Sequence, residues 1–351
     1  MIKRTGILAV LLTGVTCATT GAQEQPTPLP LFASDEVLEL TLRADFSLLK
    51  GDRDQESPER PASVVLTSGE ATSLTLEAQL RTRGKFRLDR ANCSFPPLRL
   101  NLKKQQVKGT VFEGQDKLKI VGSCRPNRDS YEQLVLNEYL AYRSFGMLTP
   151  ASFQVRLARI TYVDESGDDD PFTRLAFLIE DDDALATRLG ARVFELPEGT
   201  NLPPQALDVP SAATMAVFQY MIGNTDWSDV AGHNVEILDL GGIALPVPYD
   251  FDFSGIVDAP YSTPDPSLNL HDVRERLYRG WCWEGLHVTS IVDRFRDSRE
   301  SILALYGDFP YLDDGERSRA LDYLGAFFDG IETDERAHRR MFRDCRAMSG
   351  G

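Results

Sequence analysis

The sequence predicts an α+β fold with two unlike lobes. Residues 35–200 contain several runs in which apolar and polar side chains alternate, the pattern of half-buried β-strands. Residues 201–351 begin in a Pro-rich linker and then show mainly helical spacing. We therefore expect a strand-rich N-lobe, built on an antiparallel sheet, and a mostly helical C-lobe. Two such lobes favour a ligand cleft between them.

The N-lobe is predicted to contain one long helix among its strands. Ser130 and Gln133 have the spacing of a capping box before a helix expected at 131–145, and Gly146 would end it. Charged or acidic loops are expected at 51–61 and 164–170. Alternation predicts strands at 37–45, 74–80, 97–102, 117–121, 153–163 and 173–179.

The C-lobe is predicted to open with a helix and a hairpin. The helix begins at Ser211 and runs to Met221, with Gly223 just past its end. Apolar strands at 235–238 and 243–249 flank a Gly-Gly turn, and the pattern from 289 to 348 is mostly helical. The hairpin returns the chain to the segment that precedes it.

The N-terminus has the plan of a secretory signal peptide. Residues 1–22 contain Lys3 and Arg4, then an apolar run, then small residues up to Ala22. Residues 23–34 are rich in Pro and Gln and are predicted to be a disordered leader. No other apolar run approaches the roughly 20 residues that span a bilayer. We expect a secreted or periplasmic protein without a transmembrane segment.

Four cysteines follow the predicted signal peptide, and an even number in an exported protein suggests two disulfides. Three pairings are possible. We favour Cys93–Cys124 and Cys282–Cys345, because each pair lies within one predicted lobe. No cysteine or histidine has the spacing of a structural zinc site. The formal net charge of −15 argues against nucleic acid as a general partner.

Three polar residues around the hairpin form the strongest candidate site. Asp226 and Asn234 precede the first strand, and Asp250 ends the second, so the hairpin brings them together. One Asp to accept a proton, with an Asn and an Asp to hold a hard cation, is the set that phosphoryl transfer needs. Asp252 is a second metal ligand or a helix cap. Asp229 is the alternative base, because only four residues separate it from Asn234.

Several candidate residues also have alternative interpretations. Asp226 lies in a sequence that is typical of tight turns. His233 has no histidine partner and is expected to be structural. In the N-lobe, Arg83 lies in a cation-rich stretch around Gly84 that either cradles phosphate or forms a surface loop. Lys119 on a strand, paired with Glu138 on the helix, would orient nucleotide phosphates. The rivals for these two roles are Lys117 and Glu132.

These motifs resemble the spore-coat protein H (CotH) kinase-like family. The shared pattern is Gly-Asn-x-Asp…His-Asn at 223–234, followed by an apolar strand into Tyr-Asp-Phe-Asp at 249–252. The Arg-Gly pair at 83–84 also matches, and the likeness covers about residues 75–260. Further matches lie in Phe-Glu-Gly-Gln at 112–115, Asn-Glu-Tyr-Leu at 137–140 and Phe-Leu-Ile-Glu at 177–180.

The resemblance implies a bilobal atypical protein-kinase-like fold that uses ATP and Mg²⁺ or Mn²⁺. By the same resemblance, the catalytic residue is Asp226, the metal residues are Asn234 and Asp250, and Glu180 lies near the adenine. A protein or an envelope polymer would accept the phosphate. The chain departs from the family in its long Asp226–Asn234 loop and in lacking Asn-Ser after the Arg-Gly pair.

Two functions other than that of a kinase also fit the sequence. An apolar strand into Asp250 and Asp252 also fits a haloacid-dehalogenase-type phosphatase, although only about 100 residues follow, without the expected βα alternation. The second alternative is a non-catalytic envelope binding protein with a kinase-like fold, because fold does not fix function and ATP is scarce outside the cytoplasm.

Overall fold

The computed structural model describes residues 29–68, 72–286 and 288–348. The predicted signal peptide and residues 23–28 of the predicted leader lie outside the described residues. The rest of that leader is folded, in contrast to the disorder expected for it. It forms a 3₁₀ turn at Pro30–Phe32, and Leu31 is fully buried against the core of the barrel.

Seven strands form a closed barrel in the order β1-β2-β3-β4-β5-β7-β6. Every neighbouring pair is antiparallel except β1 and β6, which run parallel with Leu38 opposite Ala158. The strands are β1 (Leu38–Ala44), β2 (Arg60–Ser68), β3 (Thr72–Thr82), β4 (Leu98–Leu102), β5 (Lys117–Val121), β6 (Val155–Asp164) and β7 (Phe172–Ile179).

The fold also contains a small sheet and helices, of which the long helix Asp129–Leu148 packs against the barrel strands β6 and β7. The sheet has the antiparallel order β10-β9-β8, from β8 (Arg192–Val193), β9 (Val235–Asp239) and β10 (Ala244–Pro248). The helices are α1 (Phe46–Gly51), α2 (Lys104–Val107), α3 (Asp129–Leu148), α4 (Asp182–Arg188), α5 (Val209–Ile222), α6 (Val288–Asp297), α7 (Arg299–Gly307), α8 (Asp314–Gly330) and α9 (Asp334–Arg340).

Alternation along the strands sorts side chains between two cores. On β7, Ala176 and Leu178 point into the barrel, whereas Phe177 belongs to a second core outside it. This second core also contains Tyr142 of α3 and Phe218 of α5, together with apolar residues of the C-terminal helices. The outer wall of the barrel and the C-terminal helices are therefore packed into one continuous apolar mass.

The predicted bilobal kinase-like fold, with a sheet N-lobe and a helical C-lobe, is wrong. The strands close into a mixed barrel because β1 lies parallel to β6, so the N-terminal part is not an open antiparallel sheet. The second core joins residues from both expected lobes. In addition, β8 precedes the expected boundary at residue 200 but pairs with β9 beyond it.

Several local predictions are confirmed. The strand at 117–121 is β5, the helix at 131–145 lies within α3, and the predicted hairpin is β9–β10. The sequence analysis missed α1 and β2. Both predicted disulfides form, and two disulfides are compatible with a secreted protein. Among the described residues, no helix is long and apolar enough to cross a bilayer.

Candidate functional site

The loop that carries Asp226 starts at a glycine that no other residue could replace without strain. Gly223 ends α5 with φ 68°, and a Cβ there would lie 2.0 Å from the Tyr323 hydroxyl oxygen. The next residue, Asn224, is fully buried, and its Oδ1 accepts a hydrogen bond from the Asp226 N–H at 2.9 Å. The Trp227 indole N–H donates to the Asn224 carbonyl. These contacts fix the backbone at Asp226.

A small hairpin explains the long spacing between Asp226 and Asn234. Ser228 and His233 exchange two backbone hydrogen bonds of 2.9 and 3.0 Å, so the residues between them loop out. As a result, the chain returns to Asp226 at Asn234, whose Nδ2 donates to the Asp226 Oδ2 at 3.0 Å and to its carbonyl at 2.7 Å. The predicted proximity of these two residues is confirmed.

The alternative base, Asp229, is placed elsewhere. It is 1% exposed, and its carboxylate accepts hydrogen bonds from the Trp281 indole at 2.9 Å and from Arg346 at 3.2 Å. Those partners flank the Cys282–Cys345 disulfide. Asp229 therefore anchors the C-terminal segment, and its carboxylate is enclosed by protein donors.

The Asp226 carboxylate is open to solvent, with 41% of the side chain exposed. Its Oδ1 lies 2.8 Å from the Nε2 of His233, and this hydrogen bond raises the pKa of His233 against the opposing effect of burial. Asp226 also lines a cavity of about 420 Å³, together with Phe253 and Arg279. A substrate group in that cavity can reach the carboxylate.

Asn234 and Asp250 occupy rare backbone conformations on either side of the hairpin. Their φ angles are 51° and 60°, in the left-handed region that non-glycine residues seldom adopt. The Tyr249 N–H donates to the Asn234 carbonyl at 3.0 Å, and the Asp250 N–H donates to the Tyr142 hydroxyl at 2.8 Å. Backbone strain of this kind concentrates at functional sites.

A buried arginine lies between the two C-terminal carboxylates of this site. The Arg87 Nη2 is 3.0 Å from the Asp250 Oδ1, and its Nε is 3.6 Å from the Asp252 Oδ2. Asp252 is 4% exposed and also accepts a hydrogen bond from the Tyr261 hydroxyl. Burial raises the pKa of Asp252 to about 6, against the opposing charge of Arg87. The Asp252 carboxylate is therefore enclosed by Arg87 and Tyr261.

Sequence reasoning did not assign Arg87 a partner, although it noted the cation-rich stretch that contains it. No local pattern connects Arg87 with Asp250, which lies 163 residues further along the chain. Arg87 follows the end of β3 in a short 3₁₀ turn and is 8% exposed. Burial of an arginine requires acceptors for its N–H groups, and only the folded chain identifies the acidic partners of Arg87.

The expected pair of Lys119 and Glu138 is not formed among the described residues. The Lys119 Nζ is 2.7 Å from the Asp182 Oδ1 and lies over the rings of Phe153 and Tyr249, about 5 Å from each centroid. Glu138 is 2% exposed, and its Oε1 has no hydrogen-bond partner within the described part of the chain. Burial, against the opposing charge of Arg87, raises the pKa of Glu138 well above its usual range.

Glu180 and the rival residues also have definite places. The fully buried carboxylate of Glu180 forms two hydrogen bonds to Arg188, at 2.9 and 2.8 Å, and accepts the Gln154 N–H. Glu132 accepts the Leu175 N–H, and Lys117 is exposed on β5. Glu180 thus ties β7 to α4, and its carboxylate is already satisfied by protein donors.

A row of cations crosses the outside of the barrel next to this site. Arg81, Arg99 and Lys119 are directly opposite one another on β3, β4 and β5. Arg83 lies two residues beyond Arg81 and within electrostatic range of Tyr249 and Glu138. The guanidinium groups of Arg81, Arg83 and Arg99 make no hydrogen bond or ion pair with the described residues. Because like charges opposite one another destabilise a sheet, this row favours an anionic ligand.

Glu236 is a titratable residue that sequence reasoning missed. It lies on β9 between the buried Val235 and Ile237, and it interacts electrostatically with Lys119 and Asp182. Burial, together with the charge of Asp182, raises its pKa to about 7. The sequence feature that could have identified Glu236 is its position as a charged residue between two apolar residues of a predicted strand.

The oxygen atoms suit a hard cation. The Asn234 Nδ2 is committed to Asp226, so its Oδ1 is the free end of the amide, and the Asp250 Oδ2 accepts no hydrogen bond from the described residues. One or two carboxylates with additional oxygen ligands are typical of Mg²⁺. No three His, Cys, Asp or Glu side chains among the described residues form a group that could hold a metal ion by themselves.

No family model and no curated protein matches this chain. The resemblance to the CotH family therefore rests on the motifs quoted above, and the residues implied by it keep the status of predictions.

Proposed function

We propose that the protein is an exported phosphotransferase that moves a phosphoryl group from Mg²⁺–ATP to a protein or envelope-polymer acceptor. The observation that carries this proposal is that Asp226 and Asn234 are hydrogen-bonded to each other beside an open cavity, with Asp250 across the hairpin. A row of cations lies next to them, and the guanidinium groups of its three arginines have no partner among the described residues. The proposal needs no kinase fold, because function depends on the site rather than on the scaffold.

Asp226 has the properties of the base. Its carboxylate is exposed, and its position is fixed by Asn224 and by His233. As the acceptor oxygen attacks the terminal phosphorus of ATP, its hydroxyl proton passes to Asp226, and the bond from that phosphorus to the bridging oxygen of ADP breaks. A positioned carboxylate of this kind contributes about 10²–10⁴-fold to the rate.

The cationic row would bind the phosphates. An arginine offers five N–H donors in a planar fork that matches phosphate oxygens, and those of Arg81, Arg83 and Arg99 are not used by protein acceptors among the described residues. Asn234 and Asp250 would hold the divalent cation, and the cation would neutralise part of the negative charge of the phosphates. Arg87 would keep Asp250 in place while leaving one of its oxygens available.

Calorimetric titration with Mg²⁺–ATP tests the proposed phosphate contacts. We expect Arg99→Gln to weaken binding by about 10- to 150-fold, because a charge-assisted hydrogen bond to phosphate contributes about 1.5–3 kcal/mol. Arg43→Gln is the matched control, since Arg43 is an exposed arginine on the outside of β1. Equal affinities for the two variants would contradict the assignment of the row.

A non-catalytic binding protein is the second candidate. Two observations favour it: the predicted metal ligand Asp252 is engaged by Arg87, and the predicted phosphate ligand Lys119 is held by Asp182. Such a protein would bind the anionic ligand without transferring phosphate. The phosphatase alternative has less support, because Asp252 is enclosed and β10, which leads to Asp250, belongs to a small antiparallel sheet.

A further inference from the structure

A second cavity, of about 270 Å³, lies where α5, α8 and α9 meet the loop at 274–276. It shares no lining residue with the cavity beside Asp226. Three arginines line it, Arg274, Arg276 and Arg340. Like charges in one small cavity repel each other, so this arrangement requires an explanation.

Arg276 is built into the wall of this cavity. Its Nε donates to the Met221 carbonyl at 3.1 Å, its Nη2 donates to the Tyr323 carbonyl at 2.7 Å, and its guanidinium lies 3.7 Å from the centroid of the Tyr323 ring. Burial, reinforced by the charges of Arg274 and Arg340, lowers its pKa. Two of its five N–H groups are used by these carbonyls, and three remain for a ligand.

The cavity has a surplus of positive charge. Asp258 is the one carboxylate paired with these arginines in the described part of the chain, at 3.4 Å from Arg274. The guanidinium of Arg340 makes no hydrogen bond or ion pair with any described residue. Three cations against one anion leave a charge of +2, which matches a doubly charged oxyanion.

We propose that this cavity binds a phosphate-type dianion, either free or carried by a small molecule. The planar donors of the arginines suit its oxygen atoms. Phe327, Ile331 and the ring of Tyr220 form walls that would accept a small organic group attached to the anion. This site is independent of the proposed phosphotransfer, and its ligand is not the acceptor substrate of that reaction.

Calorimetric titration of the full chain with inorganic phosphate tests the site. The informative variant is Arg340→Gln, because Arg340 is exposed and its replacement leaves the core intact. We expect an affinity about 10- to 150-fold lower than that of the wild type, because one charge-assisted contact is lost. Arg339→Gln is the matched control: it removes the same charge from the adjacent residue, which pairs with Glu335 and does not line the cavity.

A third variant distinguishes phosphate binding in this cavity from phosphate binding at the cationic row of the barrel. Arg99→Gln should retain the binding component that Arg340→Gln loses. Absence of phosphate binding at millimolar concentration, equal affinity in Arg340→Gln and Arg339→Gln, or loss of the same component in Arg99→Gln would overturn the proposal. Tighter binding of phenyl phosphate than of inorganic phosphate would identify a carried group, and the reverse order would identify the free anion.

Discussion

Replacing Arg87 by methionine should destabilise the protein strongly and in a pH-dependent way. The guanidinium is 3.0 Å from Asp250 and 3.6 Å from Asp252. At an effective dielectric constant of about 20, each contact has an attraction of roughly 5 kcal/mol, much of which is offset by the desolvation of the ions. Removing one partner of such a buried set lowers the free energy of unfolding by about 3–5 kcal/mol. We expect this loss at pH 8.

The loss should shrink as the pH falls. Burial, against the charge of Arg87, already raises the pKa of Asp252 to about 6, and removal of that charge raises it further. At pH 8 the folded variant must therefore either bury an ionised Asp252 without its cation or keep Asp252 protonated. The unfolded chain releases that proton at pH 8, so both alternatives lower the free energy of unfolding. Near pH 4 the folded protein is protonated at Asp252 with or without Arg87, so the missing cation matters less.

Urea unfolding under non-reducing conditions, at pH 8 and at pH 4.5, measures both effects. Arg90→Met is the control, because Arg90 is an exposed arginine three residues further along the same segment. The double variant Arg87→Met/Asp252→Asn should recover part of the loss at pH 8, since it removes the uncompensated charge. An equal loss at both pH values, or a loss below about 1 kcal/mol at pH 8, would refute the reasoning.

Three further predictions concern the loop at 226–234 and the disulfides. Asp229→Asn should lower the free energy of unfolding by about 2–3 kcal/mol, because the Trp281 and Arg346 donors lose an ionised acceptor. Asp226 is exposed, so Asp226→Asn should change that free energy by less than about 0.5 kcal/mol. Urea unfolding of the two variants measures the difference. The pKa of His233, measured by NMR, should lie above 6.5 and should fall in Asp226→Asn. The ion pair with Asp226 therefore stabilises the fold fully below pH 6.5, and this stabilisation is lost as the pH rises through the folded-state pKa. An unchanged pKa in the variant would contradict the hydrogen bond. Reduction of the two disulfides, which close loops of 31 and 63 residues, should cost about 4 kcal/mol each, and an unchanged urea midpoint after reduction would exclude this.

Local features of the site could be predicted from the sequence because a hairpin determines its own geometry. The Gly-Gly turn between two apolar strands sets the return of the chain, and this places Asn234 and Tyr249 opposite each other. The favoured pairing of the cysteines is also confirmed, although it was chosen because each pair lies within one lobe, a division that the closed barrel and the shared second core do not support. Alternation likewise identified six of the barrel strands.

The long-range features could not be predicted, because no local pattern specifies the partners. The barrel closes through a parallel pairing of Leu38 with Ala158, and nothing in either segment encodes the other. Asp229 looks like an exposed loop residue until its two partners, 52 and 117 residues further along the chain, enclose it. Arg87 is the same case, since only the folded chain brings it to Asp250.

Transfer of radiolabelled terminal phosphate from Mg²⁺–ATP tests the central claim most directly. Wild-type protein should label itself or an envelope extract. Asp226→Asn should lower the rate by about 10²–10⁴-fold while its calorimetric affinity for Mg²⁺–ATP stays nearly unchanged, because the substitution removes the base and keeps the shape of the side chain. A wild type that transfers no phosphate, or an Asp226→Asn variant as active as the wild type, would contradict the account.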